Sequence, residues 1–372
     1  MIIQIVALIA ILLFFGYMVR NAIVNLEAIG KGFSFGFLWQ PASYDINQSF
    51  IEYNSRSPHI RATVVGILNT LAIAVAGVIL ATIVGFLLGV MRLSKNYLTA
   101  KISYVYIEYV RNVPVLVHIL MVHGILVQVL PHPRDAASIG DSLFLSNRGA
   151  QVPKPLFEPL FWIVLAVFVV GAIFTWWFRR YAKDLQNRTG RALPVFSVGL
   201  GAVIGAPLLM YFILGSPIVW EIPELRGFNF QGGYALRPEF IALWLALSLY
   251  TAAFIGEIVR AGILAVDYGQ TEASAAVGLS RSRTLNLVVI PQALRVIVPP
   301  LTSQYLNLTK NSSLAIAIGY MDIVATIGGI SLNQTGREME CMIIVLMLYL
   351  SISLSISAFM NWYNKRIKLV ER

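Results

Sequence analysis

The sequence predicts an all-α polytopic membrane protein of about eight helices with both termini on the cytoplasmic side. Three observations carry that reading. Of 372 residues, 58% are hydrophobic and only 12% charged, where a soluble domain carries about a quarter charged residues. The apolar residues collect in runs of about 20, the length that crosses a bilayer, and the runs are unbroken rather than alternating with period two, which selects helices over barrel strands. Fifteen of the 28 Lys and Arg residues fall in alternate connections on one side, the bias that marks the cytoplasmic face. A soluble enzyme is excluded, and the net charge of +10 reads as loops facing anionic lipid rather than as a nucleic-acid footprint.

The spans are expected near residues 2–19, 62–91, 102–130, 157–178, 193–215, 238–265, 299–320 and 341–363. The first has no basic flank, exceeds a signal-peptide core and lacks a small-x-small site at Tyr17, Met18 and Val19, so a retained helix is expected, with an upstream natural start left open. The inner connections carry Arg92, Lys95 and Lys101, then Arg179, Arg180, Lys183, Arg188 and Arg191, then Arg281, Arg283 and Arg295, and finally the tail with Lys365, Arg366, Lys368 and Arg372. Outer connections 131–158 and 216–236 are rich in Pro and Gly and are expected to be irregular, and Asp322 is counted with the outer acidic residues. Gly85-xxx-Gly89 and Gly201-xxx-Gly205 read as sites of close helix packing. Pro299 and Pro300 are expected to start the seventh helix, which places Lys310 about 16 Å deep, near the midplane.

Several chemistries lack their residues. No G-x-x-x-x-G-K-[ST] occurs, so the chain cannot itself be a P-loop ATPase. His118 and His123 are five apart and off one helical face, so no metal site is expected, and Cys341 is the only cysteine. No catalytic residue is assigned.

Between the sixth and seventh spans, residues 269–295 are too polar to span yet compatible with a helix. Ala273, Ser274, Ala275, Ala276 and Gly278 would let another protein's groove approach the backbone, and Glu272 suits the positive end of that helix. The segment reads as a docking peg.

Here the chain resembles the EAA loop of binding-protein-dependent ABC importer permeases. Glu272-Ala273-Ser274, then Gly278, then Val288-Val289-Ile290-Pro291 match its spacing, with conservative departures at Ser274, Val288 and Ile290. Tyr250 to Ile263, Lys310-Asn311-Ser312-Ser313-Leu314 and Glu108-Tyr109-Val110-Arg111-Asn112-Val113-Pro114 are similar to elements of the polar amino acid branch, which serves His, Glu, Gln, Arg and opines. The long layout, with residues 135–215 absent from short members, is most similar to the Q-type permease subunit of general L-amino acid importers. The resemblance implies a type I ABC importer transmembrane domain over 62–363 with an inserted loop and hairpin at about 135–215, preceded by a helix and periplasmic segment at 1–61 and followed by a basic tail at 364–372. It also implies a bacterial inner membrane and amino acid import into the cytoplasm. No cofactor is implied in this chain, with ATP and Mg bound by a partner ATPase dimer. The other implied partners are a second permease subunit in a heterodimer and a periplasmic amino-acid-binding protein. Gly269, Gln270, Glu272, Ala273, Ser274, Gly278, Leu279 and Pro291 become the ATPase-coupling residues.

Charges inside a membrane suggest a pathway or a buried pair. Asn307, Lys310, Asn311, Ser312 and Ser313 gather donors that lipid cannot satisfy, so with Glu257 they are the expected substrate path, a carboxylate suiting Lys310 or helix-end N–H groups and an ammonium suiting carbonyls or Glu257. A structural ion pair for Lys310 is the open alternative. Glu108, Arg111 and Arg260, at i,i+3 spacings, are expected to pin helices to each other. Two other functions stay in view: a secondary amino-acid transporter, which would show paired inverted repeats, and a membrane-embedded enzyme, which would need convergent catalytic groups.

Overall fold

The computed structural model describes residues 2–28, 30 and 32–367. In chain order the helices are α1 (Ile2–Ala28), α2 (His59–Arg92), α3 (Tyr97–Asn112) and α4 (Val115–Gln128), then α5 (Phe161–Thr189), α6 (Val195–Leu200) and α7 (Ala206–Ile213). They continue with α8 (Pro238–Leu264), α9 (Tyr268–Ala276), α10 (Arg281–Thr284), α11 (Ile290–Asn311), α12 (Ile323–Ala325), α13 (Leu332–Thr335) and α14 (Glu338–Ile367). Two compact units result: Met1–Val129 with Arg237–Arg372, and Leu130–Leu236. Among the described residues seven helical segments are long and apolar enough to cross a membrane, or eight if α3 and α4 form one span.

The first unit is built on α2 and α8. A Cβ on Gly85 would lie 2.5 Å from Ile255 Cγ2, and one on Gly89 2.6 Å from Val259 Cβ, so the two backbones approach as only glycine permits. The register, 85 with 255 and 89 with 259, makes the helices parallel. α11 runs against both: Gly77 of α2 meets Leu308, and Thr82 Oγ1 lies 2.9 Å from Tyr305 Oη. Gly262 of α8 meets Ile297 and Ala293 of α11.

Two expectations need correction here. The third span is not continuous over 102–130 but bends by 107° between α3 and α4. Pro114 supplies no N–H and drives Val113 out of the helical region, to φ −107° and ψ 132°. Asn112 Nδ2 then donates to the Glu108 carbonyl at 2.6 Å. Pro299 and Pro300 do not start the seventh helix; they lie inside α11, itself preceded by α10 and the π-helical turn Leu285–Val289. Burial of Ile297, Val298 and Leu301 holds the helix through the prolines. Asp322, counted with the outer acidic residues, is fully buried, with Oδ1 accepting from Ala325 N at 2.8 Å and Oδ2 from Tyr349 Oη at 3.0 Å.

The Asp322 site belongs to a polar tie between α2, the α11–α12 link and α14. Asn69 Nδ2 donates to the carbonyls of Gln48 and Met321 at 2.8 Å each, and Tyr320 Oη donates to the Asn69 carbonyl at 3.1 Å. Each bond satisfies a backbone group that lipid could not.

In the second unit α5 packs on α6 and α7, whose junction is the π-helical turn Gly201–Gly205. Gly171 faces the Ala202 carbonyl, and Gly199 faces Thr175. Gly201 and Gly205 meet nothing within 4 Å, so the expected Gly-xxx-Gly contact is displaced to Gly171 and Gly199. The connections expected to be irregular carry eight short strands: β1 (Ala137–Ile139), β2 (Leu143–Ser146), β3 (Gly149–Val152), β4 (Lys154–Phe157), β5 (Ile218–Glu221), β6 (Glu224–Arg226), β7 (Asn229–Gln231) and β8 (Tyr234–Leu236). Gly149 at φ 97° and Gly227 at φ 67° supply left-handed turn residues that let these hairpins close. Ala150 of β3 pairs with Leu236 of β8, which brings the two ends of the unit together.

Cys341 is fully buried, so labelling of introduced cysteines has a low background. A cysteine at Arg188 should react with a membrane-impermeant maleimide only from the cytoplasmic side, and one at the exposed Asp141 only from outside. Labelling of both from the same side, or reversed labelling, would overturn the orientation.

Candidate functional site

α8 ends at Leu264, and α9 begins at Tyr268 after a link of three residues. Asp267 is the N-cap, with Oδ1 accepting from Gly269 N at 2.7 Å. Glu272, expected to suit the positive end of this helix, lies in the second turn of α9, beyond the first-turn N–H groups. Gly269, Gln270, Glu272, Ala273, Ala275 and Ala276 are exposed, as are the apolar Tyr268 and Val277. Ser274 instead turns inward, its Oγ donating to the Gln270 carbonyl at 2.6 Å. The small-residue face is therefore open on the monomer, with two large apolar side chains at its ends.

α9 is closed by Gly278 at φ +79°. Gly278 N donates to Ala275 O at 2.9 Å and Leu279 N to Ser274 O at 3.0 Å, a left-handed cap that absorbs the last carbonyls of the helix. A Cβ on Gly278 would meet nothing within 4 Å. Backbone sign, not space, requires glycine here.

Beyond Leu279 the chain enters α10, passes the π-helical turn and becomes α11 without a loop, with Pro291 in its first turn. Gln292 Nε2 donates to Gln270 Oε1 at 3.2 Å and joins α11 to α9. The exposed peg is thus continuous with the helix that carries Lys310.

α11 stops at Asn311, where the 3₁₀ segment Ser312–Ile318 begins. Asn307 and Lys310 are exposed and Asn311 partly so. Ser312 Oγ donates to Thr309 O and Ser313 Oγ to Lys310 O, both at 2.8 Å, so the two hydroxyls serve carbonyls freed by the break. The expected donor cluster separates: Asn307, Lys310 and Asn311 keep open side chains, while the serines hold the break. Lys310 pairs with no carboxylate among the described residues.

Glu257 is not beside Lys310. With Gly262 opposite Ile297, helical rise puts the two about 12 Å apart along the axis. Glu257 Oε1 accepts instead from Arg260 Nε at 2.9 Å and Nη2 at 2.5 Å. This pair lies within one helix, so Arg260 does not pin two helices as expected. Glu108 and Arg111 form no ion pair; the Arg111 guanidinium lies 5.6 Å from the Phe254 ring centroid, a contact between α3 and α8. The kink at Pro114 and this aromatic face account for the difference. Arg92, counted only as a loop charge, and Arg111 stand near enough for their charge to reach Glu257, without a direct ion pair to it. Sequence reasoning missed this group because its members come from three helices and only Glu257 and Arg260 share a spacing.

Comparison with known proteins supplies an independent reading. The family model described as "Binding-protein-dependent transport system inner membrane component" matches residues 159–369. The chain is 45% identical over 369 residues to the "General L-amino acid transport system permease protein AapQ" of Rhizobium johnstonii, covering 99% of this chain and 92% of that protein. It is 47% identical over 403 residues to the "Glutamate/glutamine/aspartate/asparagine transport system permease protein BztB" of Rhodobacter capsulatus, covering 100% of this chain and 94% of that one.

The cap on α9 yields a direct test. Gly278→Ala should destabilise the turn by about 1–2 kcal/mol and raise the rate of tryptic cleavage at Arg281 and Arg283 several-fold. Gly278→Asn, which tolerates the left-handed region, should cleave at close to the parent rate. Equal cleavage of the Ala variant and the parent would show that the turn does not depend on glycine.

Proposed function

Because this chain belongs to the binding-protein-dependent transport system inner membrane component family, we propose that it is the permease subunit of an ATP-driven ABC importer that carries amino acids from periplasm to cytoplasm. It is a multi-pass inner membrane protein and a transport component rather than an enzyme. ATPase and binding-protein partners go with the family. The observation that carries the coupling part is α9: an exposed, capped helix with a small-residue face, continuous through α10 with α11.

Mechanically, an ATPase subunit grips α9, and ATP is bound and hydrolysed there with its Mg rather than in this chain. The three-residue link from α8 and the short turn at 277–280 into α10 and α11 pass that movement to both helices. Since α8 is locked to α2 at Gly85 and Gly89, the three move as packed bodies, tilting from inward-open to outward-open. A second, non-identical permease chain completes the cavity. The transport systems of the relatives, for general L-amino acids and for acidic and amide amino acids, support an amino acid as the cargo.

Within this reading Asn307, Lys310 and Asn311 face the cavity and meet the substrate carboxylate, while Ser312 and Ser313 hold the helix break that exposes them. Glu257 sits deeper along α8 as part of a charged constriction with Arg260 rather than as a first ligand.

Uptake of a panel of labelled amino acids into proteoliposomes, with and without the ATPase, tests the function: no ATP-dependent uptake of any amino acid by the assembled complex would sink it. Lys310→Gln should leave assembly and basal ATP hydrolysis intact but raise the apparent KM at least tenfold, since one charge-assisted hydrogen bond contributes about 1.5–3 kcal/mol. Loss of assembly would point to a structural ion pair, and unchanged kinetics would remove Lys310 from the path.

A further inference from the structure

α5 spans 29 residues, about 43 Å of helical rise against about 30 Å of hydrocarbon. Its apolar run ends at Phe178, so the turns from Arg179 onward stand in the headgroup layer at the end where Lys and Arg concentrate. Three faces diverge there. Gly171, Thr175, Phe178 and Ala182 form the packed face, with Gly171 and Thr175 against α6 and the π-helical turn. Trp177, Tyr181, Asp184 and Arg188 form a second face that satisfies itself: the two rings stack at 5.7 Å, and Arg188 pairs with Asp184 at 3.1 Å.

The third face carries Trp176, Arg179, Arg180 and Lys183, all exposed. None of its three cations has a carboxylate partner among the described residues, and the Arg180 guanidinium lies 3.8 Å over the Trp176 ring. That stacking holds the cation alongside the helix rather than extended into water. Trp176 marks the polar–apolar boundary, where indole rings settle in a bilayer, and the three cations follow within two turns.

We propose that this face of α5 binds the headgroup of an anionic phospholipid, with Arg179, Arg180 and Lys183 on the phosphate and Trp176 against the upper acyl chain. Charge complementarity and the aromatic boundary at the same depth select a lipid over a soluble anion, which would use the cations but not the exposed indole. The opposite behaviour of the second face, whose charges are already paired, restricts binding to one side of the helix.

The test uses the full chain in nanodiscs, with lipids retained after extraction counted by native mass spectrometry. The parent should retain phosphatidylglycerol in preference to phosphatidylcholine. The triple variant Arg179→Gln, Arg180→Gln, Lys183→Gln should lose about fivefold in affinity per charge at low salt, about a hundredfold in all. A triple variant that keeps the charges, Arg179→Lys with Arg180→Lys and Lys183→Arg, should retain most of the binding, and Arg188→Gln should match the parent. Equal retention of the two lipids by the parent, parent-like retention by the Gln triple variant, an equal loss in Arg188→Gln, or displacement of the lipid by millimolar inorganic phosphate would each overturn the proposal.

Discussion

In lipid, two helices gain little by hiding apolar surface from each other, so α2 and α8 are held by direct backbone contact at Gly85 and Gly89, reinforced where Gly256 lies against Leu88 and Ile107. A methyl group at Gly85 would meet Ile255 and the Ala252 carbonyl together, leaving neither helix room to yield. This contact sets the line of α8, and α8 carries both the Glu257–Arg260 pair and the root of α9. Because Gly262 admits Ile297, it also sets how far α11 slides along α8. The depth of Lys310 relative to Glu257 follows from that register.

Charge at the cytoplasmic end is handled differently from charge at the outer end. Arg260 pairs with Glu257, while Arg92 and Arg111 lie against rings, Arg92 on Tyr104 at 4.1 Å and Arg111 on Phe254 at 5.6 Å. Ring faces replace part of the hydration that the guanidiniums lose, at less cost than a second buried acid. At the outer end the buried carboxylate of Asp322 is held by a hydroxyl and a helix N-terminus, and that of Glu340 by Arg337 and the Ser34 amide. There the polar groups chiefly join elements, whereas the inner cluster leaves a surplus of positive charge.

The helix breaks have a common origin. At Pro114, and at Asn311 where α11 tightens into a 3₁₀ turn, carbonyls lose their intrahelical partners, and Asn112, Ser312 and Ser313 bond to nearby ones. The same side chains that drew attention as polar residues in an apolar run therefore maintain the irregular backbone. What they leave open is a cation, Lys310, at a place where the helix has ended.

The sequence by itself determined the class, the apolar runs, the EAA spacing from Glu272 to Pro291 and the Gly85–Gly89 contact, because run length, charge bias and residue size act locally and leave a linear pattern. It misplaced the start of the seventh helix, since two prolines ordinarily stop a helix and only the burial of Ile297, Val298 and Leu301 against neighbouring helices overrides that preference. It did not single out Asp267 as the peg's N-cap, since the exact start of the helix decides which oxygen reaches an N–H. Only the tertiary structure separated Glu257 from Lys310, brought Arg92 and Arg111 within electrostatic reach of Glu257, and buried Asp322. Each of these depends on the register between helices distant in the chain, and register is decided by which side chains fit at the crossing.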